Sequence, residues 1–253
     1  MKARPYILST VPMGDFTLLG YSVAGEESVI VAPELDVCFD IGKCPREALA
    51  VNHVLLSHGH MDHVAGLPYY FCQRDFQGIA GGTALVPARL VEPLEDLLRA
   101  WGRVEGHVPP HTFVGMADGA DHEIRRGLLA RAFATEHGPD ALGFSVLEVR
   151  RKLRQQYQGF SGPEIVACKQ RGEEVTRRIE VPLVAYLGDT AAANYSDLPH
   201  VAHARALLIE CTFFDREHLR RARKGKHLHI VDLPAVLEGM ENERIIIVHV
   251  TRR

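Results

Sequence analysis

Four side chains that favour metal ions fall within six positions of SHGHMDHVAG, residues 57–66: His58, His60, Asp62 and His63. Neutral imidazole and carboxylate suit zinc, manganese or iron. The segment has no thiolate, so a closed structural zinc site does not fit it. A merely polar loop would not need this spacing. His58 and His60 are two apart, and an extended backbone turns both to one side. Asp62 and His63 follow as the chain enters a helix, which aims them at a second site beside the first.

Two adjacent metal sites need more ligands, and these must come from the ends of other strands. Three residues qualify. His137 follows LLARAFATE, Asp189 follows VPLVAYLG in the triplet GDT, and His249 lies in the last strand, RIIIVHV. Singly, each has an ordinary explanation. A histidine in an apolar strand is commonly a hydrogen-bonded core residue, and the aspartate of a GDT commonly serves a turn. Three of them in this order after HxHxDH read as one ligand set.

The elements that must position these residues follow from the apolar patterning. FTLLGYSV, SVIVA and DVCFD read as short early strands. VNHVLLS reads as a buried strand that delivers the chain into SHGHMDH. VAGLPYYFCQRDF and RLVEPLEDLLRAW read as helices, with TALVP as a strand between them. LLARAFAT, GFSVLEV, VPLVAYLG and ARALLIECTFF are further strand candidates. A basic helix, a helical IVDLPAVLEGM and the strand RIIIVHV close the chain. Strands that dominate early and alternate with helices later predict an α/β (α+β) chain of two sheets with helices packed outside. No repeat, linker or boundary divides residues 1–253, so one domain is expected. The polar stretch 150–178 reads as a short excursion from it.

Composition narrows the partners. The chain has 253 residues, enough for a large core, and a net charge of −3. No global basic field marks a protein that coats nucleic acid, although a local basic patch remains open. The five cysteines are scattered and form no CxxC pair, which points to free thiols in a reducing compartment. The N-terminal segment lacks the apolar block of a signal peptide, and no run reaches the length of a membrane span. A cytoplasmic protein without a membrane partner is expected.

SHGHMDH, His137, GDT and the late histidine together resemble the metallo-β-lactamase superfamily. That resemblance implies a four-layered αββα sandwich with two metals at one edge. LSHGHMDHVAGLP, TEHGPDALGF, AYLGDT, LLIECTFFD and the block KGKHLHIVDL…ERIIIVHVTRR narrow it to ribonuclease Z, the tRNA 3′-end endonucleases. QYQGFSGPEIVACKQRGEEVT is similar to the short, plant-organelle-like forms. HxHxDH identifies only the superfamily; ECTF together with the HLH block identifies the narrower family.

The resemblance implies that His58, His60 and His137 hold one divalent metal ion, that Asp62, His63 and His249 hold another, and that Asp189 bridges them. Zinc is the first candidate, with manganese or iron as alternatives. Asp40, in CFDIG, would orient the histidine loop from behind. The implied reaction is phosphodiester hydrolysis that releases a ribose 3′-oxygen, a poor leaving group that needs a proton. A histidine of the KHLHI block, held by Glu210, would supply it. His227 and His229 are both available, and the ungapped spacing back from His249 favours His227.

The implied substrate is precursor tRNA, and the implied assembly is a homodimer. Two basic clusters would hold RNA phosphates: RRKLR at 150–154, and REHLRRARKGKH at 216–227, which runs into the candidate acid. The interval between His137 and Asp189 is short for a tRNA-gripping arm, and the usual HFS-x-RY ending is replaced by HVTRR. The rival reading keeps the fold and changes the substrate to a cyclic phosphodiester or a lactone, for which a Glu210–His227 pair is superfluous. A non-catalytic relative would not need every ligand to be present.

Overall fold

Most strands of this protein bury both faces, and each face packs into a different core. In the computed structural model, residues 8–252 are described. Met1–Ile7 and Arg253 lie outside the described residues, and with them much of the segment on which the expectation of no signal peptide rests.

The first sheet takes its strands in chain order: β1 (Ser9–Pro12), β2 (Thr17–Val23), β3 (Glu27–Ala32), β4 (Val37–Phe39), β5 (His53–Leu55), β6 (Gly82–Pro87) and β7 (His111–Met116). It is antiparallel up to β4 and parallel from there to β7. The second sheet contains β8 (Asp121–Arg125), β9 (Leu128–Ala134), β10 (Leu142–Leu153), β11 (Thr176–Tyr186), β12 (Ala206–Glu210) and β13 (Arg244–Val248). Its spatial order is β13-β12-β11-β10-β9-β8, with β11, β12 and β13 parallel. The helices are α1 (Met61–Val64), α2 (Leu67–Phe76), α3 (Val91–Glu105), α4 (Gly162–Gln170), α5 (Pro199–Ala202), α6 (Leu219–Gly225) and α7 (Leu233–Val236).

Alternation along single strands builds the layers. Ile30 and Ala32 of β3 enter the core between the sheets, where Phe39, Leu55 and Leu85 meet Phe144, Val184, Tyr186 and Leu208. Val29 and Val31 of the same strand face outward onto Leu67, Tyr70 and Phe71 of α2 and Leu94 and Leu98 of α3. In β12, Leu208 points to the inner core, while Leu207 and Ile209 meet Val201, Leu233 and Val236 on the other outer face. The result is helix, sheet, sheet, helix. Each large apolar side chain so buried contributes about 1.5–3 kcal/mol.

Three strands not legible from the sequence, β1, β7 and β8, all lie at sheet edges. In β8 only Ile124 is buried, so the segment lacks the apolar alternation of an inner strand. The helix expected over 64–76 begins at Leu67, after the separate turn of α1. The helix expected over 230–240 is the single turn α7. The expected excursion is in part a continuation of β10 and β11, which pair out to Leu153 and Thr176. Beyond them, Tyr157, Cys168 and Val175 form a small core of their own, with Leu153 and Ile165 against it. A ligand site between such sheets needs an edge where strands end together. The carboxyl ends of β4, β5, β9, β11, β12 and β13 provide it, the usual place for a ligand site in such sheets.

Candidate metal centre and active site

Asp40 leaves β4 with φ +52, a conformation that non-glycine residues seldom adopt. The turn drives its carboxylate beneath the histidine loop, fully buried. There it accepts the Ser57 N–H at 2.7 Å, the Ser57 hydroxyl at 2.7 Å, His63 Nδ1–H at 2.7 Å and the Tyr186 hydroxyl at 2.6 Å. Two glycines admit this packing. A Cβ on Gly42 would meet the Asp62 carbonyl oxygen at 2.0 Å, and one on Gly188 would meet Ser57 Cβ at 2.7 Å.

His137 comes from the loop after β9. Its Nδ1 donates to the Lys226 carbonyl at 3.0 Å, which turns Nε2 toward His60 Nδ1 at 3.3 Å. His249 lies just past β13 rather than inside it, with φ +53. The left-handed turn is the reason: it swings the imidazole out of the strand's alternation and over the edge. Its N–H donates to Ser22 Oγ at 2.8 Å, its Nδ1 lies 2.9 Å from Thr212 Oγ1, and its Nε2 lies 3.4 Å from Asp62 Oδ2.

The expected ligands converge in two groups. One ligand atom from each of His58, His60, His137 and Asp189 forms a set whose members all lie within 4.8 Å of one another, and Asp62, His63 and His249 form a second. Asp189 touches both. Its Oδ2 is 3.7 Å from His58 Nε2 and 3.4 Å from His63 Nε2, and its Oδ1 is 3.4 Å from His249 Nδ1. His58 Nε2, His63 Nε2 and Asp189 Oδ1 are buried and have no hydrogen-bond partner. Buried polar atoms are otherwise nearly always satisfied. Three of them in these two adjoining groups, all imidazole or carboxylate donors, fit divalent cations.

The electrostatics agree. Burial opposes the charge on Asp189, but the imidazoles of His63 and His249 outweigh it and hold the carboxyl well below its usual range. Burial likewise opposes the charge on Asp62, and His249 and His63 overcome it. Burial, reinforced by His63, pushes His58 down to about 2, so it presents a neutral ring. His63 is drawn above the ordinary imidazole value because Asp189 and Asp40 outweigh burial. Ionised carboxylates beside the neutral ring of His58 favour a cation, which would take the place of the extra proton on His63.

Glu210 ends β12, fully buried. Oε1 accepts the Thr190 N–H at 2.7 Å and lies 3.0 Å from His227 Nδ1; Oε2 accepts the Thr212 hydroxyl at 2.6 Å and the Leu228 N–H at 3.2 Å. His227 lies above the ordinary imidazole value, since the Glu210 hydrogen bond and charge outweigh burial. His229 does not reach the site. Its Nε2 donates to the Asp215 carbonyl at 2.8 Å and its Nδ1 accepts the Val231 N–H at 3.2 Å, so both ring nitrogens are engaged elsewhere.

Two clefts open on the cluster. One, of about 540 Å³, is lined by His227, Phe213, His218, Arg221 and Arg252 beside Asp62, Asp189 and His249. The other, of about 440 Å³, brings Arg89, Lys224 and Lys226 to His58, His60 and His137. The basic segment 216–227 therefore borders both. No residue of RRKLR lines either cleft, and Arg150 and Arg154 pair with Glu148 and Glu174. Sequence reading missed Ser57, Tyr186, Thr212, Arg89 and Arg252 at the site. Ser57, Tyr186, Thr212 and Arg252 stand within or beside the quoted motifs, and that adjacency was the available signal; Arg89 carried none.

Residues 39–250 match a family described as the Beta-lactamase superfamily domain. The chain is 34% identical to tRNase Z TRZ1 of Arabidopsis thaliana over 241 residues, 94% of this chain and 86% of that protein. It is 38% identical to a nuclear ribonuclease Z of Triticum aestivum over 181 residues, 70% of this chain and 99% of the relative. The crystal structure of human tRNase Z, short form, superposes with a TM-score of 0.63 at 16% identity, covering 92% of this chain and 91% of that one, a likeness of fold. The αββα layers, the histidine-aspartate cluster at their edge and these similarities place the chain in the tRNase Z family of the β-lactamase superfamily.

Proposed function

We propose that this protein is a metal-dependent endoribonuclease that removes the 3′ trailer from precursor tRNA. The observation that carries the reading is the His227–Glu210 pair, 3.0 Å apart, with His227 Nδ1 also 3.9 Å from Asp189 Oδ2. A hydrolase of lactones has no use for a buried carboxylate that keeps an imidazole protonated beside the metal cluster. A ribose 3′-oxygen leaving group does.

In this reading His58, His60 and His137 hold one divalent ion, Asp62, His63 and His249 hold a second, and Asp189 reaches both; zinc suits the donors best, then manganese or iron. Such a pair supplies an activated water and neutralises charge on the phosphodiester. The chain's own groups do the rest. Asp40 fixes the ring of His63. Glu210 holds His227 Nδ1, which leaves Nε2 to protonate the departing oxygen, a contribution of about 10²–10⁴ in rate. Lys224 and Lys226 on one side and Arg221 on the other bind phosphates without reading sequence, with Arg89 and Arg252 beside them in pairs with Asp140 and Glu26.

A homodimer is part of the proposal, supported by the outer face of α3, where Leu97, Trp101 and Val104 are exposed at helical spacing. A cytoplasmic place is supported by the five free cysteines. Among the described residues no helix is long and apolar enough to cross a membrane. The test is a comparison of rates for pure protein on a 3′-extended tRNA precursor, a cyclic nucleotide and bis(p-nitrophenyl) phosphate. Precursor tRNA should be cut at its 3′ side with the highest kcat/KM. Faster turnover of the cyclic nucleotide, with the precursor left intact, would overturn the reading.

A further inference from the structure

A hydroxyl has one proton to give, and two hydroxyls behind the metal cluster each stand between a carboxylate and an imidazole. Thr212 Oγ1 is 2.6 Å from Glu210 Oε2 and 2.9 Å from His249 Nδ1. Ser57 Oγ is 2.7 Å from Asp40 Oδ2 and 3.0 Å from His58 Nδ1. Both residues are almost fully buried, at 3% and 1% exposure, so water does not compete for these bonds.

An ionised carboxylate accepts and cannot donate. Glu210 and Asp40 each accept backbone N–H groups as well, which is the role of an ionised acceptor. The Thr212 proton therefore goes to Glu210 and the Ser57 proton to Asp40. Each hydroxyl keeps only lone pairs for its histidine, and each histidine must present Nδ1–H. In a neutral ring, the form that can bind a metal, Nε2 of His249 and of His58 then carries the lone pair. Those are the atoms that face Asp62 at 3.4 Å and Asp189 at 3.7 Å.

We infer that Ser57 and Thr212 are positioning residues that set the tautomers of His58 and His249, so that each buried carboxylate orients two imidazoles. Asp40 holds His63 directly and His58 through Ser57. Glu210 holds His227 directly and His249 through Thr212. The candidate acid and a metal-facing histidine thus share one carboxylate. The inference rests on the metal-centre reading and deepens it, since nothing in the ligand set itself calls for these hydroxyls.

The test uses the full chain loaded with zinc, and Thr212→Val, Thr212→Ser and Ser57→Ala. Zinc affinity is read by competition with a chromogenic chelator, and the histidine tautomers by side-chain 15N NMR, both without RNA. Thr212→Val keeps the shape, removes the proton donor, and should weaken zinc binding about 10–100-fold while the Nδ1–H signature of His249 is lost. Thr212→Ser restores the hydroxyl and should keep both. Ser57→Ala should do to His58 what the valine does to His249. Unchanged zinc affinity and an unchanged His249 spectrum in Thr212→Val would overturn the inference. So would a folded Thr212→Ser that loses both, a result that decides the matter even if the valine variant does not fold. Should the unmodified protein take up no zinc, the metal reading fails, and the His249 spectrum still decides the relay.

Discussion

His227 Nδ1 lies 3.0 Å from a Glu210 oxygen that also accepts the N–H of Thr190, the residue after Asp189. The candidate acid and the loop that carries the shared metal-facing carboxylate are therefore tied to the same buried group. A change at His227 should act on proton transfer, whereas a change at Glu210 should also disturb the cluster.

His227→Ala should accordingly leave metal content intact and lower kcat on precursor tRNA by about 10²–10⁴. The loss should shrink sharply with a p-nitrophenyl ester, whose leaving group needs no proton. Glu210→Gln should show the same selectivity, with some loss of metal in addition. The double variant should be far from additive. Equal losses on both substrates in His227→Ala would remove the acid from His227.

The pH profile carries a second check. The Glu210 hydrogen bond and charge raise His227 above the ordinary imidazole value despite burial. The acid works only when protonated, so activity on RNA is present below that raised pKa and falls as pH rises through it. The alkaline limb should be absent with the p-nitrophenyl ester. The same alkaline limb for both substrates would assign it to a different group.

Metal content tests the two groups. Elemental analysis of protein purified without chelator should approach two ions per chain, and Asp62→Ala should abolish activity and lower the count toward one. Asp62 lies 3.4 Å from His249 Nε2 and 3.7 Å from His63 Nε2, so its loss unbalances the second group and spares the first. A count near zero after reconstitution would end the dinuclear proposal.

Asp40→Ala should destabilise the fold as well as the site. It strips acceptors from Ser57, His63 and Tyr186 inside the protein. Each buried donor so stranded costs about 1–3 kcal/mol. The denaturation midpoint in urea should fall clearly at an unchanged slope. A variant as stable as the parent would mean that water satisfies these groups and that Asp40 is no anchor.

The histidine-aspartate cluster was legible because metal chemistry restricts residue type and spacing together: His58, His60, Asp62 and His63 stand in one short segment. The inner strands were legible because burial on both faces demands unbroken apolar runs such as ALLI in β12. Edge strands such as β8 face water and carry no such mark. His249 showed the limit of pattern reading. RIIIVHV reads as a strand to its end, yet a positive φ at residue 249 turns the ring out of the sheet, and no periodicity announces a single left-handed residue. The choice between His227 and His229 was equally out of reach, because it depends on which ring nitrogens a distant carbonyl and N–H engage. RRKLR carried charge in sequence, but Arg150 is paired with Glu148, two residues back on β10 itself, and Arg154 with Glu174, just ahead of β11.

That contrast yields the last prediction. Arg89, Lys224 and Lys226 line the cleft against His58, His60 and His137, and the residues lining it include no carboxylate. Arg89 pairs with Asp140 at 3.4 Å, so Lys224 and Lys226 are the cations that should hold phosphates of the RNA. Lys224→Ala and Lys226→Ala should each raise KM for precursor tRNA and reduce the slope of log affinity against log salt by about one. Arg150→Ala and Arg154→Ala remove charges already paired with glutamates outside both clefts, and should change the slope less. Kinetics at several salt concentrations separate the two sets. Should the Arg150 and Arg154 variants lose more affinity than those at Lys224 and Lys226, the RNA would approach along the hairpin, and the cleft beside His60 would not be its path.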